Sequence, residues 1–126
     1  MFIMLITMNW MIISNDPAVS KNISDMVKAT DAIASTELLE LTDASLSKAV
    51  DLLTDISHVV IIANSEDLKN NKVAATLCLI SGYAVASKMP LFSTTKILKD
   101  FFVSLKDEIT YFDTAEELKN HIQTNY

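Results

Sequence analysis

The chain alternates between short, continuously apolar segments and longer segments in which apolar residues recur every three or four positions. The first kind is typical of strands that are buried on both faces, and the second is typical of amphipathic helices. HVVIIA, at residues 58–63, is the clearest strand because it is apolar throughout and rich in β-branched residues. On this basis five strands are predicted, at residues 8–14, 37–41, 58–63, 90–94 and 109–112.

A helix is predicted after each strand, and local signals mark where several of them begin. Pro17 suits a first helical turn, Asp43 and Thr95 suit N-caps, and Thr114 with Glu117 matches a capping box. The predicted helices cover residues 17 to about 33, 44–55, 71–88, 96–107 and 115–123. In the second helix, one core-facing stripe is predicted to hold Leu46, Ala49, Val50 and Leu53.

Strict alternation of strands and helices predicts one α/β domain over residues 1–126. The expected architecture is a three-layer sandwich with a five-stranded parallel sheet. Short right-handed crossovers favour the strand order 2-1-3-4-5, which is the flavodoxin-like, Rossmann-like arrangement.

Gly82 is the only glycine in the chain, and it falls inside the third predicted helix. Glycine in a helix interior costs about 1 kcal/mol relative to alanine. Because that helix is apolar nearly all round, we expect it to be deeply buried, with Gly82 allowing a close approach to the sheet. Cys78, the only cysteine, is expected to be a buried thiol in the same helix.

The apolar segment at residues 1–7 is predicted to be an extension that buries itself against the body of the domain or a second copy, and Met8 is an alternative start. It is too short to span a membrane and lacks a basic region and a cleavage site, so neither a membrane protein nor a signal peptide is predicted. With one cysteine and no disulfide, the expected location is the cytoplasm. Half of the residues are hydrophobic, which favours a homodimer.

The net charge of the chain limits the classes of partner that it is expected to bind. The net charge is −6, and all ten basic residues are lysines. Nucleic-acid binding is therefore not expected, since it needs clustered Lys and Arg. No glycine-rich phosphate loop, metal-ligand spacing or catalytic Ser–His–Asp or Cys–His grouping is present, so no cofactor, metal or catalytic residue is predicted.

A ligand site is predicted beyond the carboxyl ends of the strands, where the strand order reverses between strands 1 and 3. Small polar residues follow the strands there, with hydroxyl, amide and carboxylate groups that suit a small polar ligand. Ser14, Ser93, Thr95, Asp113 and Thr114 are strand-end neighbours of this set. The candidate ligand-binding residues are Asn15, Asp16, Asn64, Ser65, Glu66, Asp67 and Thr94.

The segment from His58 to Pro90 resembles the nucleoside 2-deoxyribosyltransferase family. A strand of the D-x-V-V-A kind appears as HVVIIA, an acidic loop follows as NSEDLKNN, and the family's E-x-G-Y-A-x-A-x-x-K-P run appears as Gly82-Tyr83-Ala84-x-Ala86 with Lys88 and Pro90. The resemblance covers about a quarter of the chain. It implies the α/β fold above and a nucleoside-like ligand.

One departure from that family bears on its chemistry. The resemblance places the nucleophilic glutamate at Ile80, and isoleucine cannot attack an anomeric carbon. The spacing from the lysine to the final proline is also one residue longer, because Met89 lies between Lys88 and Pro90. The resemblance therefore implies a degenerate, non-catalytic member that binds a nucleoside-like or other small polar ligand.

A second resemblance is to response-regulator receiver domains. MIISNDPAVS at 11–20 is similar to their first strand and acidic turn, ELTDASLSKAVDLL at 40–53 to their second strand and helix, and PLFSTT at 90–95 to their fourth strand. The resemblance places the phospho-accepting aspartate at Asn64 or a neighbouring position. Asp16 alone remains of the acidic pair, and the lysine after strand 5 is missing. This alternative implies a pseudo-receiver that acts in protein–protein interaction.

Overall fold

The computed structural model describes residues 8–30, 34–42, 45–95 and 109–126. The predicted helix over 96–107, the N-terminal extension at 1–7 and the Asp43 cap lie outside these residues. The strands are β1 (Asn9–Ser14), β2 (Ser35–Glu40), β3 (His58–Ile62), β4 (Leu91–Ser93) and β5 (Ile109–Tyr111). The helices are α1 (Pro17–Thr30), α2 (Ser45–Leu52), α3 (Asn71–Ala86) and α4 (Ala115–Asn125), with single 3-10 turns at Leu53–Asp55 and Asp67–Lys69.

The five strands form one parallel sheet in the order β2-β1-β3-β4-β5, as predicted. Two apolar cores lie on opposite faces of this sheet. Side chains of β1 alternate between them, with Met11 and Ile13 in the core beneath α2 and α3, and Trp10 and Ile12 in the core beneath α1 and α4. The protein is therefore a three-layer α/β sandwich of the flavodoxin-like kind.

Edge strand β2 begins two residues earlier than predicted, at Ser35 rather than Glu37. The Ser35 N–H donates to the Met8 carbonyl, and pairing with β1 continues to Glu40. The first residues of β2 are polar because this edge is half open to water, so the apolar pattern does not reveal them. Leu38, on the open face, is 41% exposed.

The predicted core stripe of α2 is wrong in two of its four positions. Ala49 and Leu53 are buried, whereas Leu46 and Val50 are 39% and 54% exposed. Ser45 is buried at the start of the helix, where its hydroxyl accepts from the Thr42 N–H. The buried face of α2 therefore includes Ser45. A serine is tolerated there because its hydroxyl pairs with the Thr42 N–H at the start of the helix.

Helix α3 was predicted to be buried on all sides, but one side of it is exposed. Val73, Thr76, Leu77, Ile80, Ser81 and Ala84 form its buried side, whereas Ala75 and Ala86 are exposed and Leu79 is 39% exposed. Gly82 and Cys78 are only half-buried. At about 100° per residue, Gly82 lies roughly opposite Ile80 and Ala84, on the side away from the sheet. The expectation that Gly82 packs against the sheet is therefore wrong, and so is the expectation that Cys78 is buried.

The amino-terminal edge of the sheet carries a cluster of rings. Trp10 on β1 stacks on His58 of β3 with ring centroids 4.3 Å apart, and Tyr126 meets both rings edge-on. Phe92 of β4 stacks on the other side of this group, 6.0 Å from Trp10. Burial lowers the pKa of His58, because a protonated imidazole at this position would be a cation with little access to water.

Across the described residues, no helix is both long and apolar enough to cross a bilayer.

Candidate functional site

A cleft of about 600 Å³ opens at the carboxyl edge of the sheet, where the strand order reverses between β1 and β3. This volume falls in the range of small-molecule sites in proteins. The cleft is bounded by the residues that follow β1, β3, β4 and β5. Its lining residues are Ser14, Asn15, Asp16, Val19, Ile62, Ala63, Asn64, Ser65, Asp67, Thr94, Thr95, Asp113, Thr114 and Ala115.

Asp67 joins the loops on the two sides of this crevice. Its carboxylate accepts from Asn15 Nδ2 at 2.5 Å and from the Asn64 N–H at 2.9 Å. In return, the Asp67 N–H donates to Asn64 Oδ1 at 3.1 Å. The loop after β1 is thereby tied to the loop after β3, and the wall between them has a defined shape.

The β1 side of the cleft is organised by the start of α1. Ser14 is buried, and its hydroxyl accepts from the Asp16 N–H at 3.0 Å. One carboxylate oxygen of Asp16 accepts from the Ala18 N–H at 3.0 Å, which caps the helix before Pro17. The Asp16 side chain is otherwise exposed to solvent.

Threonines build the opposite side. Thr94 Oγ1 accepts from the Ala63 N–H and donates to the Ala63 carbonyl, both at 3.2 Å, so it extends the pairing of β3 with β4 by one residue. Thr114 caps α4 by accepting from the Glu117 N–H at 3.1 Å, as predicted, but the Glu117 carboxylate accepts from the Asp113 N–H at 3.3 Å and not from the Thr114 N–H that a full capping box uses. These hydroxyls are therefore already engaged with the backbone.

The structure brings six of the seven candidate residues together in the cleft: Asn15, Asp16, Asn64, Ser65, Asp67 and Thr94. The seventh, Glu66, is not among the lining residues. Its side chain is exposed and pairs with Lys69 Nζ at 2.7 Å, on the outside of the same loop. Ile80, where the transferase resemblance places a nucleophile, is fully buried in the core and does not line the cleft.

Sequence reasoning missed the apolar part of the lining. Val19, Ile62, Ala63 and Ala115 form this part, between the polar loops. Ile62 is the last residue of β3, Ala63 follows it directly, and Ala115 is the first residue of α4. These positions could have been predicted from the sequence, because the last residue of a strand and the first residue of the following helix lie at the carboxyl edge of the sheet. An apolar surface flanked by polar groups suits a ring system.

The charged groups of the polar lining are all acceptors. The lining contains the carboxylates of Asp16, Asp67 and Asp113, and the described lining has no lysine or histidine beside them. Within the described residues, no group of three or more His, Cys, Asp or Glu side chains is arranged to hold a metal ion. Such a lining favours a ligand that donates hydrogen bonds, and it opposes a phosphate or carboxylate.

Comparison with protein-family models, with curated proteins and with solved structures found no match.

Proposed function

We propose that this protein is a non-catalytic binding domain for an uncharged polar small molecule of nucleoside size. The observation that carries the proposal is the cleft of about 600 Å³ at the switch point of the sheet, with an apolar wall and a rim rich in acceptors. A nucleoside combines a flat ring with sugar hydroxyl donors, which matches both parts of this lining. The single cysteine, which cannot form an intramolecular disulfide, supports a cytoplasmic location.

Two features support the absence of catalysis. A retaining glycosyl transfer needs a free carboxylate nucleophile close to an acid–base group. Asp67 is instead engaged with Asn15 and Asn64, and Asp16 caps α1. Ile80 supplies no carboxylate, and its buried side chain is not among the residues that line the cleft.

The proposal is tested by calorimetric titration with a panel of nucleosides and their 5′-monophosphates. We expect a nucleoside to bind and its monophosphate to bind more weakly, because the phosphate would face the Asp16, Asp67 and Asp113 carboxylates. Ala115→Phe fills the cleft from the first turn of α4 and should weaken binding by about tenfold or more. Ala29→Phe is the matched control, since Ala29 is an exposed helical alanine outside the cleft.

Absence of binding by every nucleoside, or equal binding by wild type and Ala115→Phe, would contradict the proposal. Catalysis is checked in the same samples by chromatography of the free base. Steady release of base that Asp67→Asn abolishes would make the protein an enzyme instead.

The pseudo-receiver alternative is favoured by one arrangement. Asp16, Asn64 and Thr94, which follow β1, β3 and β4, converge in the same cleft, as the receiver resemblance implies. In that case wild type should remain unmodified by a small phosphoryl donor with magnesium, and Asn64→Asp should gain the mass of one acid-labile phosphoryl group. No modification of Asn64→Asp would count against this alternative.

A further inference from the structure

After its first turn, which holds the exposed Lys72, the side of α3 that faces away from the sheet carries no charge. No charged residue occurs between Lys72 and Lys88, although about a fifth of the chain is charged. This outer side is nevertheless open to water: Ala75 and Ala86 are exposed, and Leu79 is 39% exposed. An exposed helix face usually carries charged or polar side chains. An uncharged apolar face of this length therefore indicates a surface that another protein covers.

The apolar positions on this side follow a regular spacing. Ala75, Leu79, Gly82 and Ala86 are separated by four, three and four residues. This is the spacing of the seam along which two helices pack side by side. We call these four residues the α3 seam. On the helix it lies opposite Ile80 and Ala84, which contact the core beneath.

The α3 seam is complementary to itself when a second α3 runs antiparallel. Its midpoint lies between Leu79 and Gly82 and also midway between Ala75 and Ala86. A two-fold axis through that midpoint sets Leu79 against the partner's Gly82, and Ala75 against the partner's Ala86. Each Leu79 side chain then packs over a glycine, which has no side chain, and the two-fold symmetry makes this contact twice. Alanines meet at both ends of the seam.

We propose that the protein forms a symmetric homodimer through the α3 seam, with the two α3 helices antiparallel and each Leu79 packed over the partner's Gly82. Gly82 is then explained by the close approach of two helices, although it is unfavourable within a single helix. Helix α2 packs against α3 and also exposes two apolar side chains, Leu46 and Val50.

A second copy is favoured over an unrelated partner by charge and by area. Each chain carries a net charge of −6, so two copies repel at most surfaces, whereas the α3 seam itself holds no charged residue and Lys72 and Lys88 lie only at its two ends. The seam also offers no charged group that would select a charged partner. Helix dimensions give α2 and α3 a face of about 360 Å² in projection, and corrugation makes the accessible area larger. This is about half of the 600–1,000 Å² per copy that a dimer interface buries, so the face forms the centre of the interface, which extends beyond it.

The experiment measures mass in solution by sedimentation equilibrium across a range of micromolar concentrations. Wild type should show twice the 14.0 kDa mass of one chain. Leu79→Lys places a charge in the seam, and Gly82→Gln fills the space over which the partner's Leu79 packs. Each variant should therefore raise the dimer dissociation constant by about tenfold or more. Both positions are partly exposed in the single chain, so both variants should fold, which circular dichroism verifies.

Leu38→Lys is the matched control, because Leu38 is 41% exposed but lies on edge strand β2, outside the seam. It should leave the dimer intact. A second readout uses Cys78, which borders the seam and is the only thiol: its alkylation should slow as wild type is concentrated, and should not slow for Leu79→Lys. A monomeric wild type, or equal dissociation by Leu38→Lys and Leu79→Lys, would overturn the proposal. The cleft at the carboxyl edge plays no part in this test.

Discussion

Ile80 lies in the core between α3 and the sheet with no exposed surface. Its burial yields a direct test of what this position can tolerate. Ile80→Glu should cost more than about 3 kcal/mol and leave the domain largely unfolded, since a carboxylate there would be buried without a partner. Ile80→Val is the control and should cost about 0.5–1.5 kcal/mol.

Urea denaturation followed by circular dichroism measures both variants. If Ile80→Glu folded with near-native stability, the side chain would have to reach water, and the placement of α3 on the sheet would need revision.

Single residues of the site were only partly predictable from the sequence. The rule that ligands bind where strand order reverses located Asn15, Asp16, Asn64 and Asp67 correctly at one edge. It could not tell that Glu66 points outward to Lys69, because side-chain direction in a loop follows no repeating period. The bonds of Asp67 to Asn15 and Asn64 depend likewise on tertiary approach.

At the level of elements, the existence and order of the described segments were predictable, but their faces were less so. Continuous apolar runs identified β1 and β3, because buried parallel strands have no polar side to alternate with. The same reasoning failed for α3. A helix that is apolar all round is expected to be buried all round, yet one side of α3 is exposed. Apolarity alone does not distinguish a core from a surface reserved for a partner.

The start of α3 provides an element-scale prediction. Asn70 Oδ1 accepts from the N–H groups of Lys72 and Val73, at 2.9 and 3.3 Å. Asn70→Ala removes this cap and should lower the free energy of unfolding by about 1 kcal/mol. Asn71→Ala, one residue further on, should change it by less than about 0.5 kcal/mol, because Asn71 is exposed and is the first helical residue.

Thermal or urea unfolding of the two alanine variants, measured side by side, checks this expectation. Equal stability of both variants would mean that the Asn70 side chain does not cap the helix in solution.

The whole-molecule topology followed from general rules. Short right-handed crossovers and one reversal suffice to predict the order β2-β1-β3-β4-β5 from alternating segments. No such rule reveals the cluster of rings at the amino-terminal edge. Trp10, His58 and Tyr126 are far apart along the chain, and only the register of β1 against β3 sets the first two side by side.

That cluster leads to a prediction for the stability of the whole domain. Burial lowers the pKa of His58 in the folded state, whereas in the unfolded chain histidine titrates near its usual value of about 6.5. Below that pH the unfolded state binds the proton more readily, so the free energy of unfolding should fall as the pH is lowered from 7 towards 5. His58→Phe keeps a ring against Trp10 but cannot be protonated, so its stability should fall less over the same range.

Urea titrations at several pH values give the slope of the free energy of unfolding against pH for wild type and for His58→Phe. The carboxylates contribute equally to both slopes. Parallel slopes would show that His58 does not contribute to the acid sensitivity.

The position of Trp10 has a practical consequence for spectroscopy. Trp10 is the only tryptophan, and it sits at the amino-terminal end of β1, whereas the cleft begins at Ser14, at the other end of that strand. About 13 Å of strand separates them, at 3.3 Å per residue. Intrinsic fluorescence is therefore a clean signal for folding, since the indole contacts His58, Phe92 and Tyr126 only when the domain is assembled. For the same reason, a ligand that fills the cleft should leave the emission spectrum almost unchanged.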